Sequence, residues 1–345
     1  MKSIPIPACR RLAHLAISAI GLAALFAAPA TAAGDVAALK AQYKRPTSIP
    51  FPASNPYTME KMALGKALFF EPRLSGAQNM TCASCHNPSF GWEVPVKTAV
   101  GSLNKPLTRQ APTILNAAWI DIFFWDGRAK SVEEQARGPI EAPAEMNLPL
   151  PEARERLAAI PHYKQWFEAV FPGEGVTETN ILKAIATYER TITSGYAPFD
   201  KWIDGKEDAI SDAAKRGFDL FNGKARCASC HSGWNFTDNK FHDIGVSTTD
   251  RGRAEIEARE KTAEFAFKTP GLRDITLRAP YMHNGEIATL RDVMIHYVGG
   301  GIERPSRSPL MGPLALDARD IDDLVAFLET LTGAEQDVPL PILPH

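Results

Sequence analysis

The pentapeptide Cys82-Ala83-Ser84-Cys85-His86 recurs unchanged as Cys227-Ala228-Ser229-Cys230-His231. Cys-x-x-Cys-His is the attachment pattern of c-type haem. The two thiols add to the vinyl groups of one porphyrin, and the adjacent imidazole becomes an axial ligand of the iron. A lone Cys-x-x-Cys is also half of a zinc site or a redox dithiol. An all-thiolate zinc site built from both pairs would leave both following histidines without a role. The repeat therefore predicts two covalently bound haem c groups, one on Cys82, Cys85 and His86, the other on Cys227, Cys230 and His231.

The N-terminus fits that chemistry. Lys2, Arg10 and Arg11 precede an apolar stretch from Leu15 to Phe26, and Ala30-Thr31-Ala32 follows as a small-x-small cleavage site. The apolar stretch is too short to span a bilayer comfortably. Residues 1–32 read as a secretory signal, with Ala33 an equal choice of last residue and an uncleaved anchor as the rival. Cys9 lies before the apolar stretch, where a lipoprotein cysteine would lie after it. Cleavage after Ala32 removes three cations and moves the formal charge from −2 to −5. All four remaining cysteines then belong to the haem motifs. Thioether attachment takes place outside the cytoplasm, so the expected compartment is the periplasm, with no stable membrane insertion after cleavage.

The chain has 345 residues, 45% hydrophobic and 23% charged. That is ordinary globular composition with length for about two domains. No basic run or patch argues for nucleic acid.

Pro46, Pro50, Pro52 and Pro56 make residues 34–57 an extended lead-in. A helix is predicted from Thr58 to Phe70. Ser131-Val-Glu-Glu134 opens another as a capping box. Further helices are predicted over 151–160 and from Thr177 through Ile181, Ile185, Tyr188 and Ile192. The stretch from Ser194 to Gly205, with Pro198 inside it, breaks the pattern. The domain boundary is placed there, giving an N-terminal haem domain over 33–205 and a C-terminal one over 206–345. Ser211, Thr289 and Asp317 start later helices, and Gly333 follows the last. Gly65-x-x-Leu68-Phe69 before the first motif resembles Gly217-x-x-Leu220-Phe221 before the second, which suggests a duplicated helix–haem module. The expected fold is mainly α: two cytochrome-c-like haem domains packed together, loop-rich, with little or no sheet.

Several further stretches carry a family resemblance. They are Leu68 to Ser75, Cys82 to Pro88, Ala111-Pro112-Thr113, Phe124-Trp-Asp-Gly-Arg128, Glu134-Gln-Ala136, Glu145-Met-Asn147, Phe267 to Arg273 and Ala279-Pro-Tyr-Met-His-Asn-Gly285. From about Leu64 to Leu331 the chain resembles the bacterial di-haem cytochrome c peroxidases, including their MauG-like branch. The resemblance implies a peroxidase that reduces H2O2 at the N-terminal haem, with electrons relayed through the C-terminal haem. It implies as donor a redox-partner protein: a small cytochrome c, a cupredoxin, or a protein substrate that is itself oxidised. The alternatives are an ordinary cytochrome c peroxidase and a non-catalytic di-haem electron carrier.

By the same resemblance, Gln135 and Glu145 fall at the distal pocket as catalytic residues. Read alone, a Glu and a Gln on a helix and its following loop are solvated surface. Trp125 falls between the haems as a relay, where read alone it is a core aromatic beside Phe123 and Phe124. In ordinary members a histidine in the loop after the first motif fills the open iron face. The matching loop here, Val94 to Lys105, holds neither His nor Met, so the first haem is expected to be open. Tyr297 matches the methionine ligand of the second iron, as in the MauG-like branch. Its rivals are His296, Met294, Met282 and Met311, and a plain core role. A calcium ion between the haems would take Gln110 and the carbonyls of Arg278 and Pro280, with Gln110 standing where the family usually has Asn.

Overall fold

The computed structural model describes Met1, residues 31–334 and residues 337–345. The expected signal segment lies outside the described residues except for Met1, Thr31 and Ala32. Among the described residues no helix is long and apolar enough to cross a membrane. The chain divides into two units, residues 1–38 and 39–345, and both haem motifs lie in the second.

The described residues form ten α-helices: α1 Thr31–Gln42, α2 Met59–Phe69, α3 Val132–Glu141, α4 Leu150–Ala158, α5 Pro161–Val170, α6 Glu178–Thr191, α7 Pro198–Ile203, α8 Asp212–Asn222, α9 Leu290–Gly299 and α10 Ala318–Glu329. One antiparallel ladder pairs β1 Phe241–His242 with β2 Phe267–Lys268. The fold is mainly α, as expected.

Local chemistry accounts for most helix starts. The side chains of Thr58, Ser131, Thr177, Ser211, Thr289 and Asp317 each accept a hydrogen bond from the backbone N–H three residues on. Each bond satisfies an amide that the first helical turn leaves free, worth about 1 kcal/mol. The lead-in differs from expectation, because α1 occupies its first part. Its prolines all lie beyond Lys44, and Ala37, Ala38, Leu39 and Ala41 are good helix formers. α5 and α7 were not anticipated either. Each begins with proline at its first helical position, where the missing N–H costs nothing. The last helix ends at Glu329, four residues before Gly333.

The duplication suggested by the glycine motifs is visible in the packing. A Cβ placed on Gly65 of α2 would stand 1.9 Å from the carbonyl oxygen of Ala184 on α6. A Cβ on Gly217 of α8 would stand 1.9 Å from that of Asp323 on α10. Any side chain at either glycine would force the helices apart. Each motif is thus preceded by a helix pressed onto a later helix through one glycine.

Two large cores result. One is built from α2 to α6, with Leu64, Leu68, Tyr163, Phe167 and Ile185 fully enclosed. The other is aromatic, with Tyr43, Phe199, Phe218, Phe236 and Phe327 at its centre. α7 contributes Phe199, Trp202 and Ile203 to this second core, although the boundary at 205 groups that helix with the first domain.

Candidate haem sites

Both motifs adopt the same local structure. Cys82–Ser84 and Cys227–Ser229 are 3-10 turns. In each, the histidine N–H donates to the first cysteine's carbonyl at 2.9 Å. His86 Nδ1 lies 3.1 Å from Trp92 O, and His231 Nδ1 lies 2.9 Å from Phe236 O. A carbonyl only accepts, so the proton sits on Nδ1 and the Nε2 lone pair is left for a metal. Burial lowers both imidazole pKa values, that of His86 to about 4, so both are neutral, as a ligand must be. The accepting residues share one unusual feature. Trp92 and Phe236 are buried aromatics with φ of 60° and 55°. Bulky residues rarely adopt that left-handed conformation, and here it turns each carbonyl toward its histidine.

A cavity of about 920 Å³ opens beside Cys82, Cys85 and His86. That is the size of a large cofactor site. Gln135 and Glu145 both line it, as does Arg128. Burial raises the Glu145 pKa above its ordinary value, and the Arg128 charge opposes the shift. Arg128 stacks on Phe124 at 3.5 Å and pairs with Asp126 at 2.8 Å. The Val94 to Lys105 loop is tied to the same place, since Ser102 N donates to Ala144 O and Glu145 O. Gly101 makes this possible, because a Cβ there would stand 1.9 Å from Ala144 O. His86 is the only histidine lining this cavity among the described residues, but Met80 and Met146 line it too. Both methionines reach the cavity from outside the Val94 to Lys105 loop.

The second cavity adjoins Cys227, Cys230 and His231 and encloses about 170 Å³. It is marked by its donor set more than by its volume. Tyr297, Met282, Met294 and Met311 line it. His296 does not; its Nε2 bonds to Ile244 O at 2.9 Å. Burial, with the sulfurs of Cys227 and Cys230 nearby, raises the Tyr297 hydroxyl pKa well above its ordinary value.

Trp125 lines both cavities. Its indole N–H donates to Gln110 O at 2.8 Å, and its ring meets the His283 ring edge-on at 6.4 Å. Gln110, Lys268 and Arg278 also line both. The expected calcium ligands do not fit an ion as they stand. The Gln110 side-chain amide donates directly to Pro280 O, so two of the three groups satisfy each other. All three are neutral oxygen donors, which bind calcium weakly. Arg278 places its guanidinium on Glu93 at 3.0 Å.

Three further cavity residues were not singled out by the sequence pattern, although two of them lie in the family-like stretches. Glu189, on α6, is 5% exposed and lines the first cavity. Burial pushes its pKa up to about 8, with Arg190 opposing and Glu133 reinforcing. Arg273 lines the first cavity and His283 the second.

Two Cys-x-x-Cys-His turns, each with a metal-ready histidine and an adjoining cavity, define a protein that carries two c-type haems. The comparisons with known proteins agree. Residues 59–208 match the model of the di-haem cytochrome c peroxidase family, and residues 214–332 match cytochrome c. The chain is 51% identical over 313 residues to the methylamine utilization protein MauG of Methylorubrum extorquens, covering 90% of this chain and 89% of that one. It is 43% identical over 307 residues to the MauG of Methylophilus methylotrophus, covering 88% and 92%. Among solved structures, a MauG-like protein associated with microbial copper homeostasis aligns with a TM-score of 0.78 at 29% identity, covering 85% of this chain and 95% of that one. The chain belongs to the di-haem cytochrome c peroxidase family. It is an oxidoreductase of the peroxidase type with two haem c groups.

Proposed function

We propose that this chain is an exported, periplasmic enzyme that reduces H2O2 in the cavity beside Cys82 and Cys85 and passes electrons through the site at Cys227 and Cys230. Haem iron, when bound, supplies the redox chemistry for the net conversion of H2O2, two electrons and two protons into two waters. The protein's part is to admit peroxide, move its protons and connect the two sites. Glu145 takes the proton from the oxygen nearer the iron and returns it to the leaving oxygen, while Gln135 orients that exchange. Export is supported by the signal-like sequence of residues 1–32.

The observation that carries this reading is that Trp125 lines both cavities. One indole, fixed by its bond to Gln110 O, then serves as the relay. Tyr297 is the proposed second-site ligand, and a phenolate oxygen favours the more oxidised forms of iron. Oxidising equivalents held in this way suit oxidation of a side chain on a docked partner protein. Similarity to two MauG proteins supports that form of the reaction. A calcium ion on Gln110, Arg278 and Pro280 has no part in it. The ordinary peroxidase, fed by a small redox protein, draws on a separate observation. Met282, Met294 and Met311 share the cavity with Tyr297.

The test is Trp125→Phe in the holoprotein. Both haems should remain, and peroxide should still change the absorption of the first haem. The accompanying change at the second haem should be lost or slowed by orders of magnitude. An unchanged response at the second haem would remove Trp125 from the route.

A further inference from the structure

Each cavity holds one buried polar nitrogen with no hydrogen-bond partner. In the first it is Arg273 Nη2, in the second His283 Nε2. Arg273 is 1% exposed and His283 4% exposed. Leaving such a group unsatisfied costs about 1–3 kcal/mol, and buried polar groups are almost always paired. The neighbours of Arg273 fix its guanidinium without using Nη2. Nη1 donates to Asp200 Oδ1 at 2.7 Å and Nε to Trp234 O at 2.8 Å. His283 is held flat against Phe267, ring centroids 3.6 Å apart and planes 12° apart. Trp125 stands against its edge. Neither side chain can swing away to find another partner without breaking this packing.

The cofactor offers few groups that could complete these bonds. A porphyrin bound through its vinyl groups presents an apolar rim except at its two propionate carboxylates. A guanidinium N–H and an imidazole N–H are both strong donors to carboxylate. Both residues come from one segment, Phe267 to His283, which also supplies Lys268. That lysine lines both cavities, and its ammonium makes no hydrogen bond or ion pair among the described residues.

We propose that Arg273 Nη2 and His283 Nε2 are the propionate-binding donors of the first and second haem respectively, so that one segment of the chain holds both cofactors by their carboxylates. The proton of His283 then sits on Nε2. This rests on the presence of two haems and is independent of the peroxide chemistry.

The test reads the two reduction potentials of the holoprotein by spectroelectrochemistry. A donor on a propionate offsets negative charge near the iron and favours the ferrous state. Arg273→Lys keeps a cation for Asp200 but gives up the second N–H. It should lower the potential of the first haem alone, changing the ferrous-to-ferric ratio at fixed potential by up to about tenfold. His283→Phe should do the same to the second haem alone, and His283→Gln, which keeps a donor, should recover part of the shift. Lower thermal stability with both potentials unchanged would overturn the proposal and make both residues packing elements. If Arg273→Lys does not fold, the propionate bending bands in the resonance Raman spectrum of the wild-type holoprotein still decide. Bands of both haems that shift on exchange into D2O support the proposal, and unshifted bands refute it.

Discussion

The side-chain amide of Gln110 donates to the carbonyl oxygen of Pro280, and the carbonyl oxygen of Gln110 accepts from the Trp125 indole at 2.8 Å. One residue therefore anchors the Trp125 indole with its backbone and closes the gap beside it with its side chain. A cation at that point would have to break the amide–carbonyl bond and turn the amide oxygen inward. Gln reaches Pro280 because it is one methylene longer than the Asn usual at this position. Chelation with EGTA should leave the optical spectrum and thermal stability of the wild-type holoprotein unchanged. Gln110→Asn, whose shorter amide releases Pro280 O, should bind calcium more tightly than wild type when followed by calorimetry. Wild-type protein that retains one calcium per chain after gel filtration, and changes its spectrum on chelation, would show that the hydrogen bond gives way to the ion.

Glu145 has to be ionised to accept the peroxide proton. Burial raises its pKa, so the ionised fraction, and with it the rate, should rise with pH through a limb lying above the usual carboxylate range. Glu145→Gln should keep both haems and slow the reaction with peroxide by on the order of 10²–10⁴-fold. It should also erase that limb. Glu189 lines the same cavity, and burial pushes its pKa up to about 8, so its titration is the rival source of such a limb. A limb that survives in Glu145→Gln and vanishes in Glu189→Gln would transfer the role to Glu189.

Tyr297 and three methionines share the second cavity, and the ligand decides what the site can do. Tyr297→His should give a stable protein with both haems that no longer stores two oxidising equivalents after peroxide is added. The measurement is the optical spectrum over the seconds after mixing. If the wild type already shows methionine–iron charge transfer near the red end of the spectrum, and Tyr297→His behaves like it, then Met282, Met294 or Met311 is the ligand. The ordinary peroxidase reading would follow.

What the sequence made legible was mostly local. The haem turns could be read because every ligating atom lies within five residues. The helix starts at Thr58, Ser131, Thr177, Ser211, Thr289 and Asp317 could be read because an N-cap is a bond across three residues. Pro198 reads as a breaker because proline interrupts a helix interior, yet it suits the first position of α7, and one-dimensional pattern does not say which applies. The cavity walls depend on long-range packing. Glu189 flanks the apolar stripe of α6 and looks solvated in sequence, yet it is buried. Arg273 and His283 fall in stretches whose family resemblance was plain, but their missing hydrogen bonds appear only once Asp200, Trp234 and Phe267 are placed around them. His296 was a reasonable rival to Tyr297 by adjacency alone. One residue of helical rotation, about 100°, turns it to Ile244.

The most direct measurement on the central claim is the low-temperature EPR spectrum of the fully oxidised holoprotein, recorded before and after addition of H2O2. The haem on Cys82 and Cys85 should give one high-spin signal and the haem on Cys227 and Cys230 one low-spin signal. Peroxide should change both without prior reduction. Two low-spin signals and no response to peroxide would contradict the claim. Met80 or Met146 would then close the first iron, and the chain would be an electron carrier.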